Sequence, residues 1–110
     1  MVVWKKDEAI LPANLLADRF QSLADTWRQE CAYLSSVREM AIHTTYQQIV
    51  GMGKDALPFI FAELEREPDH WFWALRAITG DNPVLPEHQG DMATMAKDWL
   101  QWAKRRGVRW

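Results

Sequence analysis

The chain has 110 residues, enough for one domain with its own hydrophobic core. With 48% hydrophobic and 25% charged residues, its composition excludes a disordered chain. A formal net charge of −2 gives no general attraction to nucleic acid or anionic membrane, and a single cysteine, Cys31, excludes an internal disulfide framework.

Seven tryptophans are the departure from an ordinary composition. Each carries a large apolar area and an indole N–H that needs a partner, so one small core is not expected to absorb them all. The surplus, notably Trp4, Trp73 and Trp110, points to an interface and to a homodimer. Residues 1–12, "MVVWKKDEAILP", read as an irregular arm with no apolar run of secretory-signal length. No stretch approaches the ~20 apolar residues of a membrane span. The expected setting is the cytoplasm, with no membrane contact.

Apolar spacing is helical nearly throughout. From Ala13 to Leu34, the residues Leu16, Phe20, Leu23, Trp27, Cys31 and Leu34 recur at steps of three and four, the stripe of an amphipathic helix. Ser36, followed three residues later by Glu39, has capping-box spacing and opens a short helix. His43-Thr44-Thr45 marks another start, with a threonine hydroxyl as cap for "YQQIV". Gly51 and Gly53 end that helix by adopting positive φ. Asp55 is the expected cap of the next, with Pro58 in its first turn. Leu57, Ile60, Phe61 and Leu64 form its core face, and Phe59 points to the opposite side.

Pro68 stops this helix, and Asp69 is expected to cap the following one, His70–Thr79. On a helical wheel Trp71, Leu75 and Ile78 share the buried face. Phe72 lies about a quarter-turn away, and Trp73 falls on the far side. Arg76 is expected to stack on a neighbouring ring or to pair with Glu63 or Glu67. Gly80 is an αL terminator, and "DNPVLPEHQG" is a loop. Asp91 caps a last helix, residues 91–106, that turns Met92, Met95, Ala96, Trp99, Trp102 and Ala103 inward. The expected fold is one all-α domain over residues 1–110, a compact bundle of five to six helices.

"MGKDALPFIFAELEREPDHWFWALRAITG" (residues 52–80) resembles a HEAT-type helical repeat. Gly53, Ala56, Leu57 and Pro58 match the start of its first helix, Asp69 its inter-helix turn, and Ile78 and Gly80 its end. With "YQQIVGMG" as the tail of a shortened preceding unit, the resemblance spans residues 44–80. It departs from that pattern at Trp71, Phe72 and Trp73, where small and aliphatic residues are usual. The resemblance implies a helical hairpin at the centre, with Ala13–Leu34 and the residue 91–106 helix closing its open faces. The full layout also resembles a small bacterial protein family that carries no activity to transfer.

No motif carries chemistry. Cys31 lies on the core stripe with Trp27 and Leu34, so its thiol is expected to be packed and inert, and His43 is no base for it. His43, His70 and His88 match no metal spacing, and neither metal nor cofactor is expected. "GMGK" lacks the strand and the Ser/Thr of a phosphate loop. Glu63 and Glu67 read as a solvated helix face rather than an acid–base pair. An enzyme with an unrecognised site is the third-ranked alternative.

Two surfaces remain. Phe59, Phe72, Trp73, Trp102 and Trp110 are candidates for contact with a protein partner or a second copy. In the alternative reading, Lys104, Arg105, Arg106 and Arg109, interleaved with Trp99, Trp102 and Trp110, bind single-stranded nucleic acid by charge and stacking. The leading expectation is a non-enzymatic helical interaction or regulatory module, the usual role of helical-repeat surfaces.

Overall fold

The computed structural model describes residues 13–110, so the arm at 1–12 and Trp4 lie outside the described residues. The fold is all-α, and among the described residues there is no strand. Six α-helices follow in order among the described residues: α1 (Ala13–Glu30), α2 (Val37–Ile42), α3 (Thr44–Gly51), α4 (Leu57–Arg66), α5 (Phe72–Thr79) and α6 (Met92–Arg105). Short 3-10 turns at Gly53–Ala56 and Pro86–His88 join α3 to α4 and lie between α5 and α6. None of the described helices is long and apolar enough to cross a membrane.

The helix ends show which local signals govern the chain. α1 stops at Glu30, short of the expected Leu34, because the Leu34 N–H bonds to the Cys31 carbonyl (3.0 Å) in a tight turn. Ser36 then opens α2 as foreseen, its hydroxyl accepting from the Glu39 N–H at 3.3 Å. The cap of α3 is not a threonine. His43, in an extended conformation, overhangs the helix start and its Nδ1 accepts from the Thr45 N–H (3.2 Å). An Nδ1 that accepts leaves the proton on Nε2, which faces a Glu30 carboxylate oxygen at 2.8 Å.

Gly51 remains inside α3, and only Gly53 of the pair takes a positive φ, +66°. Asp55 falls within the 3-10 turn and caps nothing, and α4 starts at Leu57 with Pro58 in its first turn. Asp69 is likewise not the helix cap. Its carboxylate accepts from the adjacent His70 N–H (2.7 Å), its carbonyl takes the Trp71 N–H (2.8 Å), and α5 begins only at Phe72. The cap comes from another helix. The Tyr46 hydroxyl on α3 accepts from the Ala74 N–H (2.9 Å) and donates to the His70 carbonyl (2.9 Å).

The closest backbone approaches join α1 to α3, α3 to α5 and α4 to α6, helices two apart along the chain. This alternation produces two layers, α1–α3–α5 and α4–α6. Between them lie Trp27, Tyr46, Phe61, Trp71 and Trp99, all fully buried. Trp71 is the hub of an aromatic cluster, with ring centroids at 4.7 Å from Trp27, 5.6 Å from Phe20 and 6.0 Å from Tyr46. A Trp side chain buries about 200 Å² or more, so this cluster supplies a large share of the apolar burial.

Gly80 closes α5 in the left-handed conformation (φ +73°), its N–H returning to the Arg76 carbonyl at 2.8 Å. The loop that follows is tied to α6 by one carboxylate. Asp98 accepts from the Leu85 N–H (3.3 Å), and its Oδ2 lies 2.6 Å from His88 Nδ1. Asp91 then caps α6 by accepting from the Thr94 N–H (3.2 Å).

Candidate functional site

The five aromatic candidates separate sharply once placed. Phe72 is buried at 7% exposure, covered by the α5–α6 loop and α6, which the helical wheel does not represent. Phe59 does not point away from the core. It packs half-buried against α1, stacked on Phe20 with centroids 5.6 Å apart. Trp102 is buried at 8% and its indole N–H donates to Asp81 (2.8 Å). Trp110 folds back on Phe61 (5.5 Å) and donates to Glu65 at 3.1 Å. Only Trp73 of the five stands out into solvent, at 49% exposure.

The same folding-back changes the basic carboxyl end. Trp99 is fully buried, Trp102 and Trp110 are bonded to carboxylates of the protein itself, and no ring among these three is presented alone to solvent. Arg106 lies over the Trp102 ring, 5.1 Å from its centroid, and pairs with Asp81 at 3.1 Å. Lys104, Arg105 and Arg109 remain exposed cations. The Trp102 hydrogen bond, followed by the Asn82 N–H and then the Arg106 charge, holds the Asp81 carboxyl below its ordinary value.

Glu63 is no solvated carboxylate. It is buried at 7% exposure and takes hydrogen bonds from Arg28 on α1 and, at 2.8 and 3.0 Å, from Arg66. Arg28 also lies 3.7 Å from Asp69 and 5.8 Å from the Trp71 ring centroid. Burial disfavours the Arg28 charge, but the bond to Glu63 and the nearby carboxylates outweigh it and push the pKa up. Arg28 thus holds the place that the sequence offered to Arg76. The pairing joins residues 35 apart, beyond any local spacing rule.

Arg76 is left exposed, and among the described residues it makes no ion pair. It stands beside Trp73, three residues apart on α5, so the two share a face. Both border a cleft of about 240 Å³ between α5, the following loop and α6. Buried Phe72, Val84 and Trp99, with Met92 and Met95, form its apolar floor, and exposed Asn82 and Gln89 join its rim. A second, more open hollow of about 420 Å³ continues past Trp73, Arg76 and Asn82 toward Gly80 and Asp81. The indole N–H of Trp99 is buried without an acceptor among the described residues.

Acid–base chemistry finds little to work with here. Among the described residues the cleft has no carboxylate in its lining, and His70 is the one imidazole there. Cys31 is buried, and burial, with the Glu30 charge second, pushes its thiol pKa up, away from the reactive thiolate. Among the described residues no three His, Cys, Asp or Glu side chains converge as metal ligands would.

Comparisons with protein-family models, curated proteins and solved structures found no match.

Proposed function

We propose that this chain is a non-enzymatic helical interaction module, built around a HEAT-like helix pair, which docks a protein partner on the α5–α6 face. One observation carries the reading: Trp73 is half exposed at the mouth of an apolar cleft and beside an arginine without a partner among the described residues. Large aromatics and arginine are the residues most enriched where binding energy concentrates at protein interfaces. The layering supports the repeat-like part of the reading, because tandem helical pairs stack like helices on like and bring helices two apart together. A single cysteine, packed in the core, accords with a cytoplasmic setting.

A displayed random-peptide library selected on the whole 110-residue protein tests this function. Enriched sequences are expected to bind the wild-type protein and to lose about tenfold or more in affinity on Trp73→Ala, the loss typical of an aromatic hot spot. Enriched peptides indifferent to Trp73→Ala, or no enrichment at all, would overturn it. Sedimentation velocity across a wide concentration range identifies the case in which the partner is a second copy.

A further inference from the structure

Resting on that docking reading, we infer the chemistry of the occupant: a linear peptide segment in which one bulky apolar side chain is followed directly by acidic residues. The apolar side chain enters the α5–α6 cleft, and a carboxylate behind it pairs with Arg76.

Size decides the first half. About 240 Å³ lies below the usual range for drug-sized ligands and suits a single side chain of the Phe or Leu class. The floor offers Phe72, Val84, Met92, Met95 and Trp99, with no ionised group on it. Burying a charge there would be costly, whereas the two methionines adapt to an apolar guest. The more open hollow shares Trp73, Arg76 and Asn82 with the cleft, so a chain that fills the cleft has a continuing path across the surface. A trough with one deep socket fits an extended peptide better than an isolated small molecule.

Charge decides the second half. Arg76 stands at the junction of the two hollows without an ion pair among the described residues. The one acid among the described residues that line the second hollow, Asp81, is already bonded to Trp102 at 2.8 Å and Arg106 at 3.1 Å. The guanidinium therefore keeps its donors for an incoming carboxylate, which it can take by two parallel N–H bonds. A basic segment would bring like charge to the same point.

The probe is the acetylated, amidated peptide Ser-Gly-Phe-Glu-Glu-Gly-Ser, titrated into the whole protein by isothermal calorimetry. Replacing both glutamates by glutamine, or changing Arg76→Gln, is expected to weaken binding about threefold to fivefold, as loss of a solvent-exposed ion pair does. Arg76→Glu should reverse the preference toward the peptide with lysines in place of the glutamates. Phe replaced by Ala in the peptide should lose binding as completely as Trp73→Ala in the protein. Arg76 and Trp73 are exposed, so circular dichroism of the variants should match that of the wild type. Equal binding of the glutamate and glutamine peptides would overturn the inference while leaving the docking reading intact. So would failure of all these peptides beside successful enrichment of others from the library. Failure of the library selection itself would sink both.

Discussion

Tyr46 is the residue on which the start of α5 depends. Its hydroxyl accepts from the Ala74 N–H and donates to the His70 carbonyl, both at 2.9 Å, so one side chain satisfies two backbone groups. Burial pushes the phenol pKa far up, although the Ala74 N–H bond works the other way, and the hydroxyl stays protonated and able to donate. Tyr46→Phe keeps the ring stacked on Trp71 but strands both partners. Urea denaturation should show a loss of roughly 1–3 kcal/mol, the cost of leaving such groups unpaired. Glu63 is the second such residue, since it is the shared acceptor of Arg28 and Arg66. Glu63→Gln leaves Arg28, itself only partly exposed, without its main counter-charge. The expected destabilisation is about 1–3 kcal/mol, below that of a fully buried pair because water still reaches Arg28. An Arg28→Met, Glu63→Met double variant should recover much of that loss in the same measurement.

At the scale of elements, the ends of α5 obey different rules. Its C-terminus is local: Gly80 at φ +73°, with open space where a Cβ would stand. Gly80→Ala therefore meets no neighbour and pays only for the left-handed backbone, roughly 1 kcal/mol by chemical denaturation. The N-terminus is tertiary, capped by Tyr46 from 28 residues away. This contrast explains what could be read from the sequence. The stripe of α1, the caps Ser36 and Asp91, the terminator Gly80 and the buried Trp71 and Leu75 are patterns within a few residues, and each is where the spacing puts it. Asp69, Asp55 and the threonines at 44–45 have cap-like spacing too, but Tyr46 and His43 took the places of Asp69 and the threonines, and Asp55 lies inside a 3-10 turn. Of the five aromatic contact candidates, only Trp73 stayed exposed. The cleft beside it depends on how the 80–91 loop folds over α5, held by Asp98 and His88, and no local pattern encodes that.

For the molecule as a whole, two acidic groups among the described residues have depressed pKa values and contribute to the response to acid. Hydrogen bonds from Trp102 and the Asn82 N–H, with the Arg106 charge, lower Asp81; hydrogen bonds from Thr94 and the Ala93 N–H, with the His88 charge, lower Asp91. A carboxylate whose folded pKa lies below its unfolded value contributes stability that is fully present above the unfolded pKa. That contribution is lost as pH falls through the folded one. Thermal midpoints should thus be insensitive to these two groups above about pH 5 and decline below about pH 4. Asp81→Asn should flatten part of the decline. An Asp81→Asn variant with the wild-type acid profile would show that this carboxylate does not contribute.

Cys31 gives the molecule an internal clock. It is the only sulfhydryl in the chain, and it sits buried where α1 turns toward α2, in the layer that α3 and α5 complete. A thiol reagent in excess modifies it only when that corner opens, so the labelling rate divided by the rate for a free thiol is the equilibrium constant for opening. If the helices separate only on global unfolding, that constant equals the one from denaturant titration. If α1 peels away by itself, labelling runs faster than unfolding, and the difference measures how tightly the first helix is bound to the other two.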